Sequence, residues 1–380
     1  MFSDAEKERR LEAAEAVMDG SGLSAIYLPG NSSVGPYSFG NQRYFTASRV
    51  VFNLRSVILL KGKKAVAIAS DLMNKLNLTQ SSFINDAVIN QDQLQGVIEV
   101  LKGNGIDSGR VGTILEILPA AWLLRLEKEL PGVEFVDVSR ELSPARGIKS
   151  IEEIETQRIC SGIADAGYRA LCEAVRPGMY ENEIVAEMDR AMQRMGAEES
   201  FALITSGKFS IKGNRLPPLH NYAALNRKVE AGDVVAAEIT PRYNGYWTQK
   251  VRTVCVGAEN GDAEKLREVI VGAIDAAKPI LKAKTPICDI VGKMREHTER
   301  AGFDFVMPCG HLAGIDLNEG NVADDNPTPL EPGMLVILHP TVITGDMDTS
   351  IFWGESYLIT DEGYEEPMQS GDSLFTATNY

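Results

Sequence analysis

Histidine is scarce in this chain: only His220, His297, His311 and His339 occur in 380 residues. Each of them can therefore be weighed singly. The five cysteines, at 160, 172, 255, 288 and 309, are scattered, odd in number and form no CxxC pair. That excludes a disulfide framework and fits reduced thiols packed as small apolar fillers in a cytoplasmic protein. Basic residues are in deficit, with 38 Lys+Arg against 53 Asp+Glu and a net charge of -15. Nucleic acid is thereby a poor partner, because binding it needs a basic surface that releases counterions. No apolar run approaches the length of a membrane span, and the N-terminal segment lacks the apolar core of a signal peptide. A phosphate-cradling Gly loop, a GxSxG elbow and a Ser-His-Asp signature are also absent.

What is present is an alternation of periods. Residues 4–19, 92–102 and 120–130 read as helices. Residues 23–28, 50–60, 64–69, 110–115 and 133–138 read as strands. Such alternation predicts an α/β domain around a central sheet over 1–145. Pro and Gly punctuate residues 142–150, which read as a linker. A long amphipathic helix follows, with Ile159, Ile163, Ala166, Ala170 and Ala174 at helical spacing, and stops at Arg176-Pro177-Gly178. A second helix over 181–195 carries Ile184, Met188 and Met192 on one stripe, which is core packing.

The remainder repeats itself. EMDRAMQRMG (187–196) aligns with KMREHTERAG (293–302), EAGDVVAAEI (230–239) with EPGMLVILHP (331–340), and YWTQ (246–249) with FWGE (352–355). Two copies of one αα-plus-hairpin unit, related by a pseudo-two-fold axis, account for this. The alignment superposes Glu238 on His339 and Gln249 on Glu355, polar residues on otherwise apolar strands. Such groups are costly there unless paired or functional. Asn244-Gly245 is a two-residue hairpin signal. It places Thr240 opposite Gln249 and makes Glu238 and Gln249 diagonal neighbours on one face, provided Pro241 introduces no bulge.

At this point the chain resembles a known family along essentially its whole length: the pita-bread superfamily of creatinase, aminopeptidase P, prolidase and methionine aminopeptidase. The resemblance is carried by Arg146-Gly147-Ile148-Lys149-Ser150 with Glu153-Ile154, RPGMYENEI (176–184), GDVV (232–235), GYWTQKVRT (245–253), CGHLAGI (309–315), EPGML (331–335) and ITDEGYE (359–365). It implies a creatinase/prolidase-type α/β domain over 1–145. An α+β pita-bread domain with internal pseudo-two-fold duplication would occupy 146–380. The metallopeptidases of the superfamily hold two metals on Asp, Asp, His, Glu and Glu. The corresponding positions here are Glu238, Gln249, His311, His339 and Glu355, of which only His311 and Glu355 keep the family type. A neutral Gln249 is a poor bridge between divalent cations, so the resemblance implies loss of the dinuclear centre.

Creatinase is the superfamily's metal-free precedent, and His220 matches its acid/base histidine. Its glutamate on the second hairpin strand falls on Val251 here, so creatine itself is not implied. An aromatic and an arginine reaching the neighbouring subunit's site would correspond to Phe52 and to Arg55 or Arg49. The expectation is a metal-independent hydrolase of a C–N bond in a small polar substrate, cytoplasmic and homodimeric. His220 is expected as general acid/base. Glu238, His339 and Glu355 would orient water and substrate, with His311 donating to developing oxyanion charge. Phe52, Arg55 and Gln249 are expected to bind substrate. Two alternatives stay open. One is a mononuclear Zn, Fe or Mn enzyme, hydrolase or lyase, on His311, His339 and Glu355 with Gln249 or Glu238 nearby. The other is an X-Pro peptidase or a non-catalytic peptide-binding protein of this fold.

Overall fold

The computed structural model describes residues 2–30, 40–48, 56–207, 220–221, 226–343 and 351–378. The chain divides into two compact units, Met1–Glu152 and Glu153–Tyr380.

The first unit runs α1 (Asp4–Gly20), β1 (Ala25–Leu28), α2 (Gly40–Thr46), β2 (Ser56–Leu60), β3 (Lys64–Ala69), α3 (Leu72–Ser81), β4 (Asp86–Ile89), α4 (Gln93–Gly103), β5 (Ser108–Thr113), α5 (Ala120–Glu129), β6 (Gly132–Asp137) and α6 (Ser139–Gly147). Its sheet has the order β4-β3-β2-β1-β5-β6, parallel except for the two pairings of β2. Ile58, Ile68, Val97, Leu101 and Leu126 are among the side chains of its core. The expected linker over 142–150 is mostly helix: α6 carries Pro144 in its interior. Tertiary bonds stabilise it there, because the Tyr44 hydroxyl donates to the Ala145 carbonyl and Arg146 donates to the Asn41 amide oxygen at 2.8 Å. Propensity is a weak prior against such fixed contacts.

The second unit runs α7 (Ile151–Ala174), α8 (Glu181–Arg194), β7 (Glu199–Gly207), β8 (His220–Asn221), β9 (Val234–Tyr243), β10 (Tyr246–Trp247), β11 (Lys250–Val256), α9 (Gly261–Ala277), α10 (Ile287–Arg300), β12 (Asp304–Val306), β13 (Gly310–Ala313), β14 (Gly320–Asn321), β15 (Leu335–Leu338), β16 (Thr341–Ile343), β17 (Glu355–Ile359), β18 (Tyr364–Glu365) and β19 (Phe375–Ala377). Two sheets result, β19-β11-β9-β7-β8 and β14-β13-β15-β17-β18, with β12 and β16 paired separately. The duplication is visible as two helices followed by a three-stranded kernel, β11-β9-β7 and β17-β15-β13.

The kernels differ in register. Lys250 lies opposite Ile239, whereas Ser356 lies opposite Ile337 and Glu355 opposite Leu338. Strict repetition would have set Ser356 against Pro340. Pro340 has no N–H to give to a ladder, and β15 ends at Leu338.

Each sheet has a helix side and an open side. Val235, Ala237 and Ile239 pack with Ile163, Leu171, Ile184 and Met188 of α7 and α8. Side chains alternate along a strand, so Ala236, Glu238 and Thr240 face the other way, where Ala236 and Val251 cluster with Phe352. The buried stripe of α7 is partly polar, with Glu153, Gln157, Ser161 and Asp165 buried, while Ile159 is exposed.

Candidate functional site

The hairpin between β9 and β11 sets the first half of the site. Asn244 and Gly245 both take positive φ, 47° and 92°, as a two-residue turn of this hand requires. Tyr243 pairs with Tyr246 and Trp247 with Arg242. The same register continues to Lys250 opposite Ile239, so Pro241 introduces no slip. Gln249 therefore stands beside Glu238 as the alternation predicts: its Nε2 donates to Glu238 Oε2 at 3.2 Å and to Thr240 Oγ1 at 3.3 Å. Burial raises the Glu238 carboxyl to about 7, since a carboxylate there loses its hydration and gains only the amide. The Gln249 Oε1 atom is buried with no partner.

The second half is a pair of imidazoles. His311 on β13 and His339, just past β15, lie edge to face with ring centroids 5.6 Å apart, and His339 meets the Phe352 ring at 5.1 Å. Phe352 packs on Val251 and Ala236, the open-face neighbours of Glu238, so both halves border one side of the sheets. Burial, reinforced by His311, lowers His339 to about 3. Burial also lowers His311, against the pull of the Leu312 and Leu317 carbonyls. Both rings are neutral near pH 7. His311 Nδ1 lies 3.2 Å from the Leu312 carbonyl and must donate to it. His339 Nδ1 is buried without a partner.

Glu355 is not brought to these groups. It pairs across the strand with Leu338 and therefore points to the helix side. There Lys250 Nζ lies 3.1 Å from Glu355 Oε1 and 3.1 Å from Asp165 Oδ1, and the Arg252 guanidinium binds the same Glu355 oxygen. The position on the open side is Gly354. A Cβ on it would stand 2.5 Å from His339 Cβ and 2.5 Å from the Leu338 carbonyl oxygen, so only glycine fits against the imidazole. The mononuclear set of His311, His339 and Glu355 is thus split between two faces. Among the described residues no three His, Cys, Asp or Glu side chains are grouped to hold a metal ion. The donor chemistry on the open side does not fit a dinuclear centre, because β17 supplies no carboxylate there and Gln249 supplies a neutral amide.

His220 forms the short edge strand β8, its backbone opposite Ile204; its side chain lies outside the described residues, as do Phe52, Arg55 and Arg49. His297 is on α10, and the site does not include it. Sequence reading missed Lys250 and Arg252 as the partners of Glu355. The alternation along β11 held that signal, since both residues must face away from Gln249.

An α/β unit joined to two αα-plus-sheet halves with the site on their open side defines the pita-bread class. Residues 155–361 match metallopeptidase family M24, and residues 10–148 match the creatinase/prolidase N-terminal domain. The chain belongs to metallopeptidase family M24 and is a hydrolase of the creatinase/prolidase type. It is 25% identical over 366 residues to an Xaa-Pro dipeptidase of Pyrococcus furiosus, covering 94% of this chain and 96% of the relative. It is 26% identical over 362 residues to a creatinase of a Bacillus species, covering 90% and 84%. The solved X-Pro aminopeptidase of Thermotoga maritima superposes with a TM-score of 0.83 at 18% identity, over 96% of this chain and 99% of that one, a likeness of fold. No helix among the described residues is long and apolar enough to cross a membrane.

Proposed function

We propose that the protein hydrolyses a C–N bond of a small polar substrate by side-chain proton transfer, in the manner of creatinase. The observation that carries this reading is the open-side set itself. A Glu238–Gln249 pair shares that side with two imidazoles, and Gly354 stands where β17 turns towards them. A carboxyl that titrates near neutrality can take a proton from water and return it to the leaving nitrogen. His220 serves as the second acid/base group. Water adds to the carbon, the C–N bond breaks, and the amine leaves protonated. Neutral His339 holds a hydrogen-bonding partner at Nδ1. Phe52 and Arg55 contribute to substrate binding, and the protein acts as a homodimer, which light scattering tests.

The test is turnover of guanidino, ureido, cyclic amidine and Xaa-Pro dipeptide compounds by protein dialysed against a chelator, with metal content measured on the same sample. Activity on a non-peptide C–N compound, retained after chelation and lost in Glu238→Gln, is the expected result. Cleavage of Xaa-Pro dipeptides that disappears on chelation and returns with one divalent metal overturns it in favour of a metallopeptidase.

A further inference from the structure

On the helix side of β17, away from the imidazoles, lies a cavity of about 180 Å³. Its walls come from β11, α9, β17 and the segment after β18. Two cations, Arg252 and Lys278, face it against four carboxylates, Asp275, Glu355, Glu366 and Asp372. The cations are already committed. Arg252 serves Glu355 and three backbone carbonyls, of Val251, Gly354 and Gly371. Lys278 bridges Asp275 at 3.0 Å and Glu366 at 2.9 Å. One negative charge is left over at the Lys278 cluster; Asp372 accepts from Arg267 through its backbone carbonyl at 2.9 Å, and its carboxylate also lies in the field of that guanidinium.

Tyr357 supplies the independent observation. It is 2% exposed and lines this cavity, yet its hydroxyl makes no hydrogen bond among the described residues. The side chain is nearly buried, yet its hydroxyl is not among the atoms sealed from solvent, so a molecule in the cavity can reach it. Lys278 Nζ stands 5.8 Å over the Tyr357 ring, so the walls already accommodate one ammonium group. Burial first, and then the Glu355 charge, keep the phenol protonated, able both to donate and to accept.

We propose that this cavity is a binding site for a small organic ammonium compound, separate from the hydrolytic site. Its N–H groups would bond the Tyr357 hydroxyl and the Asp372 and Glu366 carboxylates, with its alkyl part against Val271 and Ile274. The site reaches the open side through one residue: Arg252 Nη1 donates to the Gly354 carbonyl at 2.7 Å, and Gly354 abuts His339. Occupancy therefore bears on the seating of His339.

The experiment is calorimetric titration of the full chain with propylamine, with tetramethylammonium as a cation lacking N–H donors and sodium chloride as an ionic-strength control. Saturable binding of one propylamine is expected, weakened about tenfold or more by Tyr357→Phe and by Asp372→Asn, the scale of one hydrogen bond to a charged group. Glu238→Gln should leave it unchanged, which keeps this outcome separate from the proposed hydrolysis. Binding lost in Glu238→Gln but kept in Tyr357→Phe would place the amine on the open side and overturn the proposal. Equal affinity for tetramethylammonium, or no saturable heat with propylamine in the millimolar range, overturns it as well.

Discussion

Glu238 and His339 are opposite cases of one cost, a titratable group removed from water. The Glu238 carboxyl rises from 4.5 to about 7, so between those values the folded chain holds a proton that the unfolded chain has released. Stability from this group is complete at low pH and is lost as pH rises towards 7, to the extent of about 3 kcal/mol at 1.36 kcal/mol per pH unit. Glu238→Gln should then be more stable than the parent at pH 8, and the gain should shrink towards pH 5. Urea unfolding at the two pH values measures this, and a gain independent of pH would contradict it. His339 falls from 6.5 to about 3, so here the unfolded chain binds the extra proton. Its contribution is complete above 6.5 and is lost as pH falls towards 3. The corresponding spectroscopic expectation is an imidazole that does not titrate between pH 8 and 4.5 in the folded protein, while an exposed histidine does. Proton NMR of the ring resonances, assigned with His339→Gln, reads it directly.

Among the elements, the β9–β11 hairpin was legible and the β17 strand was not. Asn244-Gly245 fixes a turn, the turn fixes a register, and period-two alternation then places Gln249 beside Glu238. No comparable turn fixes Glu355 in sequence. A shift of one residue moves a side chain through the sheet, and the carboxylate expected among the imidazoles lies instead with Lys250 and Arg252. The α6 helix and the exposed Ile159 were missed for another reason: tertiary bonds and buried polar residues overrode Pro144 and the apolar pattern. Two substitutions test the β17 placement. Glu355→Gln leaves buried Lys250 with Asp165 as its remaining carboxylate, and buried Arg252 with backbone carbonyls alone. It should destabilise by about 3–5 kcal/mol, the cost of breaking a buried pair on one side. Gly354→Ala puts a methyl group against His339 and the Leu338 carbonyl. It should destabilise by about 1–3 kcal/mol through overpacking and lower turnover with it. Denaturant melts of both variants decide the matter, and wild-type stability for Glu355→Gln would mean that Glu355 is free for the open side.

At the level of the whole molecule, duplication is what makes the site possible, and its imperfection sets the chemistry. Two helices and a three-stranded kernel occur twice, and the kernels meet where Val251 bridges Gly354 and the Ser356 hydroxyl donates to the Gln249 carbonyl at 2.8 Å. The first kernel presents Glu238 and Gln249 there; the second, out of step by its shortened β15, presents His339 and Gly354. A resident divalent ion would link strands from both kernels and act as a ligand of the folded state alone. Such a ligand at a thousand times its dissociation constant adds about 4 kcal/mol. For a unit of this size that raises the melting temperature by roughly 10 °C, at about 2–4 °C per kcal/mol. Among the described residues one neutral amide, two imidazoles and one carboxyl face that side, a set too weakly charged to favour gathering the ion. Protein stripped with a chelator should melt within about 2 °C of the same protein given excess manganese or zinc, well short of that linkage. A shift approaching the full linkage would show that the strands rearrange around a metal and that Glu355 crosses the sheet to hold it.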